Sequence, residues 1–157
     1  MKTYSFTSGP RIKVTVEGKG DTLTRTLLGH HNGFVCEISD ELSEEATRAI
    51  YSWLLSYSQG SQPIVRLPIK AEDLPPFTEK VLEKMQKIAF GSVESYTSLA
   101  KKAGSPKAAR AVGNICRANL FPLFIPCHRV RCEDGTFGGF AFGLKMKEEL
   151  LRYEKAI

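Results

Sequence analysis

An apolar run, Leu120-Phe121-Pro122-Leu123-Phe124-Ile125, leads directly into Pro126-Cys127-His128-Arg129-Val130, and this junction constrains the chain more than any other stretch. It puts a thiol beside an imidazole at the end of an apolar run, just after a basic helix-turn-helix-like segment. A half-buried cysteine beside a titratable group is how proteins make a thiolate, the species that attacks carbon or sulfur. His128, Arg129 and Arg131 crowd Cys127, which is the setting expected to lower a thiol pKa. On an extended segment the side chains of Cys127 and His128 point to opposite sides, so a bridging water is the expected proton path. An imidazole acting as base also needs an acceptor on its other nitrogen. Glu133, Asp134, Glu148, Glu149 and Glu154 are all candidates by spacing, and Glu154 on its own reads as a solvated charge. The alternative for Cys127 is a small buried core residue.

With 157 residues, 42% of them hydrophobic and 25% charged, the chain has material for one or two compact domains. Lys and Arg outnumber Asp and Glu by 22 to 17, a net charge of +5 that suits a polyanionic partner or a simple solvated surface. No apolar run reaches the roughly 18 residues of a membrane span, and the first residues lack the apolar stretch of a signal peptide. A soluble, cytoplasmic, monomeric protein with no membrane partner is therefore expected. The four cysteines, Cys36, Cys116, Cys127 and Cys132, read as reduced. His30, His31 and Cys36 lie close in sequence but lack a paired ligand element, so no metal is expected.

Residues 11–17 alternate polar and apolar, Gly18-Lys19-Gly20-Asp21 supplies a turn, and residues 22–28 are again β-prone, which predicts a hairpin. Phe34-Val35-Cys36-Glu37-Ile38 is a third strand with Cys36 in the core. Ser43 caps a helix with Ala46, Ala49, Ile50, Trp53 and Leu54 on one face. Periodicity fails between Ser56 and Pro76, a linker framing a short extended piece over 64–69. A helix over 78–88, capped by Thr78, opens a second domain. The expected fold is an α/β N-terminal domain over 1–70, a small antiparallel sheet plus a helix, then a mainly α C-terminal domain with a helix-turn-helix over 71–157.

The helix pair lies at 95–103 and from Ser105-Pro106 onward, with Gly104 breaking between them. Serine at the cap with proline at the first helical position is the expected start of the second helix. Its Ala108, Ala111, Val112 and Ile115 fall on one face, and Lys107, Arg110, Asn114 and Arg117 on the other. Such a pair commonly sets its second helix in a DNA groove. The small residues Ala109 and Gly113 would let the helix backbone press into a narrow minor groove with Arg110 reaching in, or would serve tight helix packing instead. After the cysteine, Thr136-Phe137-Gly138-Gly139-Phe140-Ala141-Phe142-Gly143 is a glycine-rich loop with interleaved aromatics, suited to wall a pocket for a flat ring or to act as a flexible connection. A helix over 145–155 closes the chain, with Leu144, Leu150 and Leu151 packing down.

Phe90-Gly91-Ser92-Val93-Glu94-Ser95-Tyr96, Lys107-Ala108-Ala109-Arg110-Ala111-Val112-Gly113, Asn119 and Ile125-Pro126-Cys127-His128-Arg129-Val130 together resemble the O6-alkylguanine-DNA alkyltransferases, over residues 77–154. The resemblance implies direct DNA repair. The Cys127 thiolate would take the alkyl group from O6 of a guanine flipped out of duplex DNA, irreversibly and once per protein, with O4-alkylthymine a minor substrate and no cofactor. His128 would relay the thiol proton and Glu154 would hold the imidazole, the carboxylate that spacing alone leaves open. Asn119 would tie the recognition helix to the active-site turn. Tyr96 would crowd the phosphate and protonate the departing guanine, and Arg110 would fill the gap in the stack. Ala109, Ala111 and Gly113 would lie against the minor groove, and Thr97 and Ser105 would hold phosphates. The Val130 carbonyl and Ala141 amide would meet the guanine edge.

Two features depart from the family pattern. Ala141 stands where members often carry a serine, leaving only its backbone for the base, and the N-terminal zinc ligands of some members are missing. The cysteine itself separates the chain from the related proteins that bind lesions without repairing them. Two other classes remain on the residues alone. A thiol hydrolase using Cys127, His128 and Glu154 would turn over on small substrates, and a DNA-binding regulator would keep every activity in Cys127→Ser.

Overall fold

The computed structural model describes residues 1–69 and 73–157. The chain divides into two compact units, Met1–Ala71 and Glu72–Ile157, and the boundary expected after residue 70 lies outside the described residues.

The first unit contains β1 (Lys2–Phe6), β2 (Ile12–Lys19), β3 (Thr22–His30), β4 (Phe34–Ile38) and α1 (Glu44–Ser58). Alternation sorts the faces: Ile12, Val14 and Val16 of β2 and Phe34, Cys36 and Ile38 of β4 are buried, while the residues between them are only half-buried. Ser43 caps α1 as expected, its Oγ accepting from Ala46 N at 3.1 Å. Ile50, Trp53, Leu54 and Tyr57 form the buried stripe of the helix, and Tyr57 meets Phe34 of β4 with ring centroids 6.0 Å apart. Cys36 is core, and burial pushes its thiol up to about 12.

The strand order is β1-β4-β2-β3. β2 and β3 form the expected hairpin, but β4 runs parallel to β2, with Val14 beside Cys36, and β1 closes the far edge antiparallel to β4. The sheet is therefore mixed and not antiparallel. After β3 the chain crosses to the open edge of β2, and β3 itself supplies the length that a parallel crossover requires. Residues 64–69 form no strand beyond a single bridge from Ile69 to Leu23.

The second unit contains α2 (Pro76–Gln86), β5 (Glu94–Ser95), α3 (Tyr96–Lys102), α4 (Ala109–Arg117), β6 (Val130–Arg131) and α5 (Leu144–Tyr153), with a 3₁₀ turn at Cys127–Arg129. Val81, Met85, Leu99, Val112, Val130 and Leu150 are among its most deeply buried apolar residues. α2 begins at Pro76 instead of being capped by Thr78, because proline suits the first helical position, where its missing N–H costs nothing. Ser95 caps α3, its Oγ accepting from Ser98 N at 2.9 Å. α4 starts at Ala109, later than expected: Ser105, Pro106 and Lys107 form a separate turn in which Ala108 N donates to Ser105 O at 3.0 Å. Leu144, expected inward, is half exposed, and Met146, Leu150 and Leu151 fill the core side of α5. Among the described residues the chain thus has a small mixed sheet and five helices.

The two-residue β5 and β6 pair in parallel, Glu94 with Val130 and Ser95 with Arg131. That short ladder sets the start of α3, and with it Tyr96, beside the exit of the Cys127 turn.

Candidate active site

Asn119 staples the loop that presents the cysteine. Its Nδ2 donates to Ile125 O at 2.9 Å and its Oδ1 accepts from Phe121 N at 3.0 Å, closing residues 119–125 on themselves. Inside the loop Leu123 is buried with φ +76, a left-handed conformation that a branched side chain adopts only when its surroundings enforce it. Pro126 then turns the chain into the 3₁₀ turn, in which Arg129 N donates to Pro126 O at 3.0 Å. Cys127 and His128 are therefore not on an extended segment, and successive side chains on a 3₁₀ turn step by about a third of a revolution instead of alternating.

His128, Arg129 and Glu154 form one buried group. His128 Nε2 lies 2.7 Å from Glu154 Oε2, Arg129 Nε donates to Glu154 Oε1 at 2.7 Å, and Arg129 also donates to Glu154 Oε2 at 3.2 Å and to Ile88 O at 2.7 Å. Burial acts to raise the Glu154 pKa, but His128 and Arg129 outweigh it and hold the carboxyl at about 2. An ionised carboxylate only accepts hydrogen bonds, so neutral His128 carries its proton on Nε2. Its Nδ1 is left as a basic lone pair, buried and with no hydrogen-bond partner among the described residues. Burial, with help from Arg129 and Lys147, pulls the His128 pKa below its ordinary value, although Glu154 opposes the shift. Glu154 is thus no solvated charge: it caps the C-terminal end of α5 at 1% exposure.

The thiol departs from expectation as well. Cys127 is 5% exposed, and burial pushes its pKa up, against the Asn119 side chain and the Lys147 charge, which pull it down. The expected lowering by Arg129 fails because that guanidinium is spent on Glu154 and the Ile88 carbonyl. A resting neutral thiol with a neutral imidazole whose Nδ1 is available makes His128 a base, not a standing counter-cation.

Tyr96, at the start of α3, is half-buried, and burial pushes its phenol up to about 12, so it is a proton donor at neutral pH. Its hydroxyl lies against the glycine-rich loop: a Cβ on Gly138, whose φ is +71, would sit 2.8 Å from Tyr96 Oη. Gly113 of α4 lies beside the same ring, where a Cβ would meet Tyr96 Cε1 at 4.0 Å. Arg110, Asn114 and Arg117 are exposed along one side of α4, with Val112 and Cys116 buried on the other; Lys107 is exposed on the turn before the helix, and Ala109 and Ala111 are half-buried. Thr97 and Ser105 are half-buried, and Ala141 is exposed on the loop. No group of three or more His, Cys, Asp or Glu residues able to hold a metal occurs among the described residues, and no helix among them is long and apolar enough to cross a membrane.

Residues 76–156 match the family described as 6-O-methylguanine DNA methyltransferase, DNA binding domain. The chain belongs to this family. A methylated-DNA–protein-cysteine methyltransferase from Homo sapiens is 45% identical over 109 residues, which cover 66% of this chain and 53% of that protein. The constitutive methylated-DNA–protein-cysteine methyltransferase of Bacillus subtilis is 36% identical over 160 residues, covering 99% of this chain and 96% of the relative. The chain therefore spans about half the length of its mammalian relatives and nearly all of the bacterial one. The crystal structure of Mycobacterium tuberculosis O6-methylguanine methyltransferase superposes with a TM-score of 0.67 at 25% identity, over 92% of this chain and 93% of that one.

Within this 6-O-methylguanine DNA methyltransferase family member, sequence reasoning missed Lys147. The residue reads as one more charge on an amphipathic helix, yet it is wholly buried, with Nζ donating to Val130 O at 2.6 Å, Phe137 O at 2.5 Å and Gly139 O at 3.3 Å. The available signal was its spacing. Lys147 lies between Met146 and Leu150 on the stripe that faces the core, where a lysine is out of place unless its ammonium has partners.

Proposed function

We propose that the chain repairs DNA directly, moving a methyl or other small alkyl group from O6 of guanine in duplex DNA to Cys127, once per protein. The observation that supports this reading most is the buried Cys127 on a turn shared with His128, whose Nδ1 has no partner among the described residues and whose Nε2 is held by Glu154. The family's DNA binding domain, matched over residues 76–156, supplies the substrate class.

The chemistry then follows from the groups present. The Cys127 proton passes to His128 Nδ1, directly or through a water, while Glu154 stabilises the imidazolium that forms. The thiolate attacks the alkyl carbon, an S–C bond forms, and the C–O6 bond breaks with its electron pair left on the guanine. Tyr96 protonates the departing base, and the imidazolium and tyrosinate return to neutral by exchange with water. The thioether has no leaving group as good as the guanine, so the protein is consumed.

In this reading α3 and α4 act as a helix-turn-helix, with α4 in the minor groove and Ala109, Ala111 and Gly113 against it. Arg110 fills the stack behind the flipped base, and Thr97 and Ser105 hold phosphates. Asn119 keeps the Cys127 loop in register with α4. The Val130 carbonyl and Ala141 amide read the guanine edge; the carbonyl already accepts from Lys147 and has a second lone pair to offer.

Intact-protein mass and peptide mapping after incubation with a duplex containing O6-methylguanine test the proposal. Gain of one methyl, confined to Cys127 and never exceeding one per protein, is expected. Catalytic turnover without a mass gain would indicate a thiol hydrolase, and duplex binding without either would indicate a regulator.

A further inference from the structure

We propose that Lys147 is the latch of the base pocket: its ammonium, hydrogen-bonded to three carbonyls on two segments, holds the glycine-rich loop against β6 and sets the backbone groups that read the guanine. The inference rests on the functional reading above and names a positioning residue in it.

Burying an ammonium is costly unless its hydrogen bonds are satisfied, and a methionine or leucine would fill the same space on α5 at lower cost. What an ammonium does there, and an apolar residue cannot, is gather acceptors. Its three protons meet Val130 O on β6 and Phe137 O and Gly139 O on the loop. That loop has strong need of a restraint, because Gly135, Gly138 and Gly143 all have positive φ and glycine-rich backbone is the least ordered kind when free. Its backbone bonds lie toward its ends: Cys132 N to Thr136 O, Gly135 N to Cys132 O, and Gly143 N to Phe140 O. The ammonium holds the middle.

Lys147 also faces the ring of Tyr96, with Nζ 5.9 Å from its centroid, while Tyr96 Oη fills the space where a Cβ on Gly138 would stand, 2.8 Å from it. Loop, tyrosine and ammonium therefore interlock, and releasing the latch displaces both the loop and the proton donor. A displacement of about 1 Å at a reacting centre is enough to lower a rate about a hundredfold. Affinity for duplex, carried by exposed basic groups on α4 that Lys147 does not touch, is left alone.

The test is Lys147→Met, close in length and neutral. In single-turnover reactions with an O6-methylguanine duplex, the maximal rate should fall about a hundredfold while duplex Kd stays within about threefold of wild type. Hydrogen exchange should accelerate over residues 136–143 and not over α2 or α4. A rate within about threefold of wild type with unchanged loop exchange overturns the latch, as does faster exchange throughout the second unit with DNA binding lost in parallel. Should the variant fail to fold, wild type decides: a lysine ammonium resonance protected from solvent exchange and assigned to Lys147 is expected, and rapid exchange at every lysine overturns the proposal. Wild type in the transfer assay reports separately on function, since lack of transfer there sinks the repair reading and leaves the latch to the exchange data.

Discussion

Arg129→Met breaks a buried charge network from one side, and the structure fixes both the size and the pH dependence of the damage. The substitution removes two hydrogen bonds to Glu154 and one to the Ile88 carbonyl, all among side chains no more than 2% exposed. Removing one partner of a buried pair costs about 3–5 kcal/mol because the other charge is stranded. Glu154, however, keeps His128. In wild type, burial and the charge of Arg129 disfavour the imidazolium; in the variant that charge is gone and the carboxylate is left in need of a cation. The His128 pKa therefore rises in the folded variant. The lowered His128 pKa makes wild type lose stability as pH drops below the unfolded value, about 6.5, and the higher pKa of the variant makes it lose less over the same range. The cost of Arg129→Met should accordingly be about 3–5 kcal/mol at pH 8 and measurably smaller at pH 5.5. Trp53 belongs to the first unit, so its fluorescence reports on the wrong part of the chain. Amide exchange in α5, corrected for intrinsic rates at each pH, reads the second unit directly. A cost below about 1 kcal/mol at pH 8, or an equal cost at both pH values, would refute the argument.

Gly138→Ala places a Cβ 2.8 Å from Tyr96 Oη at φ +71 and should slow methyl transfer by roughly tenfold or more at unchanged duplex Kd; single-turnover kinetics read it. Asn119→Ala removes both staples of the cysteine loop and the contact that draws the thiol pKa down. It should cost roughly 2–3 kcal/mol in urea unfolding followed by α5 exchange, and shift the pH midpoint of Cys127 alkylation upward. With Cys36, Cys116 and Cys127 buried and Cys132 half-exposed, native protein at pH 8 should show one fast thiol toward an aromatic disulfide reagent; persistence of that thiol in Cys132→Ser would contradict the burial. Methylating Cys127, at 5% exposure, overfills its site and should destabilise the second unit by about 1–3 kcal/mol, seen as faster exchange at residues 119–125 than in unmodified protein.

Local signals carried most of the fold. The strict alternation of Ile12, Val14 and Val16 and the capping serine Ser43 are properties of a few adjacent residues, and the structure follows them; the cap expected at Ser105 fails because residues 105–107 form a turn of their own before α4. The mixed sheet was hidden because strand order depends on where a turn leads the chain, and β1 was missed because Tyr4 and Phe6 are its only large apolar residues. Site chemistry divides the same way. Cys127 and His128 are neighbours in sequence, but their partners Glu154 and Lys147 come from a helix whose charges look alike until burial separates them. The sign of the Cys127 shift was misjudged for a related reason: adjacency suggested that Arg129 serves the thiol, whereas packing gives it to Glu154.

On the proposed reading, in which the protein is used once, that raised thiol pKa has a functional consequence. A cysteine of ordinary pKa is roughly a few per cent thiolate at neutral pH and reacts with electrophiles that reach it. Each such encounter would destroy one repair event. Burial keeps Cys127 protonated and shielded at rest, while His128, held neutral by the same burial and oriented by Glu154, keeps a lone pair ready for the proton. In the proposed reaction the thiolate forms only as its proton passes to His128 Nδ1 with a substrate seated beside it. Arg129 is what makes the arrangement stable: it neutralises Glu154 without requiring an imidazolium, so the site stores a base and not an ion pair. A thiolate at rest would demand the reverse, an imidazolium as its counter-ion, and would be spent on solvent-borne electrophiles before a lesion arrived.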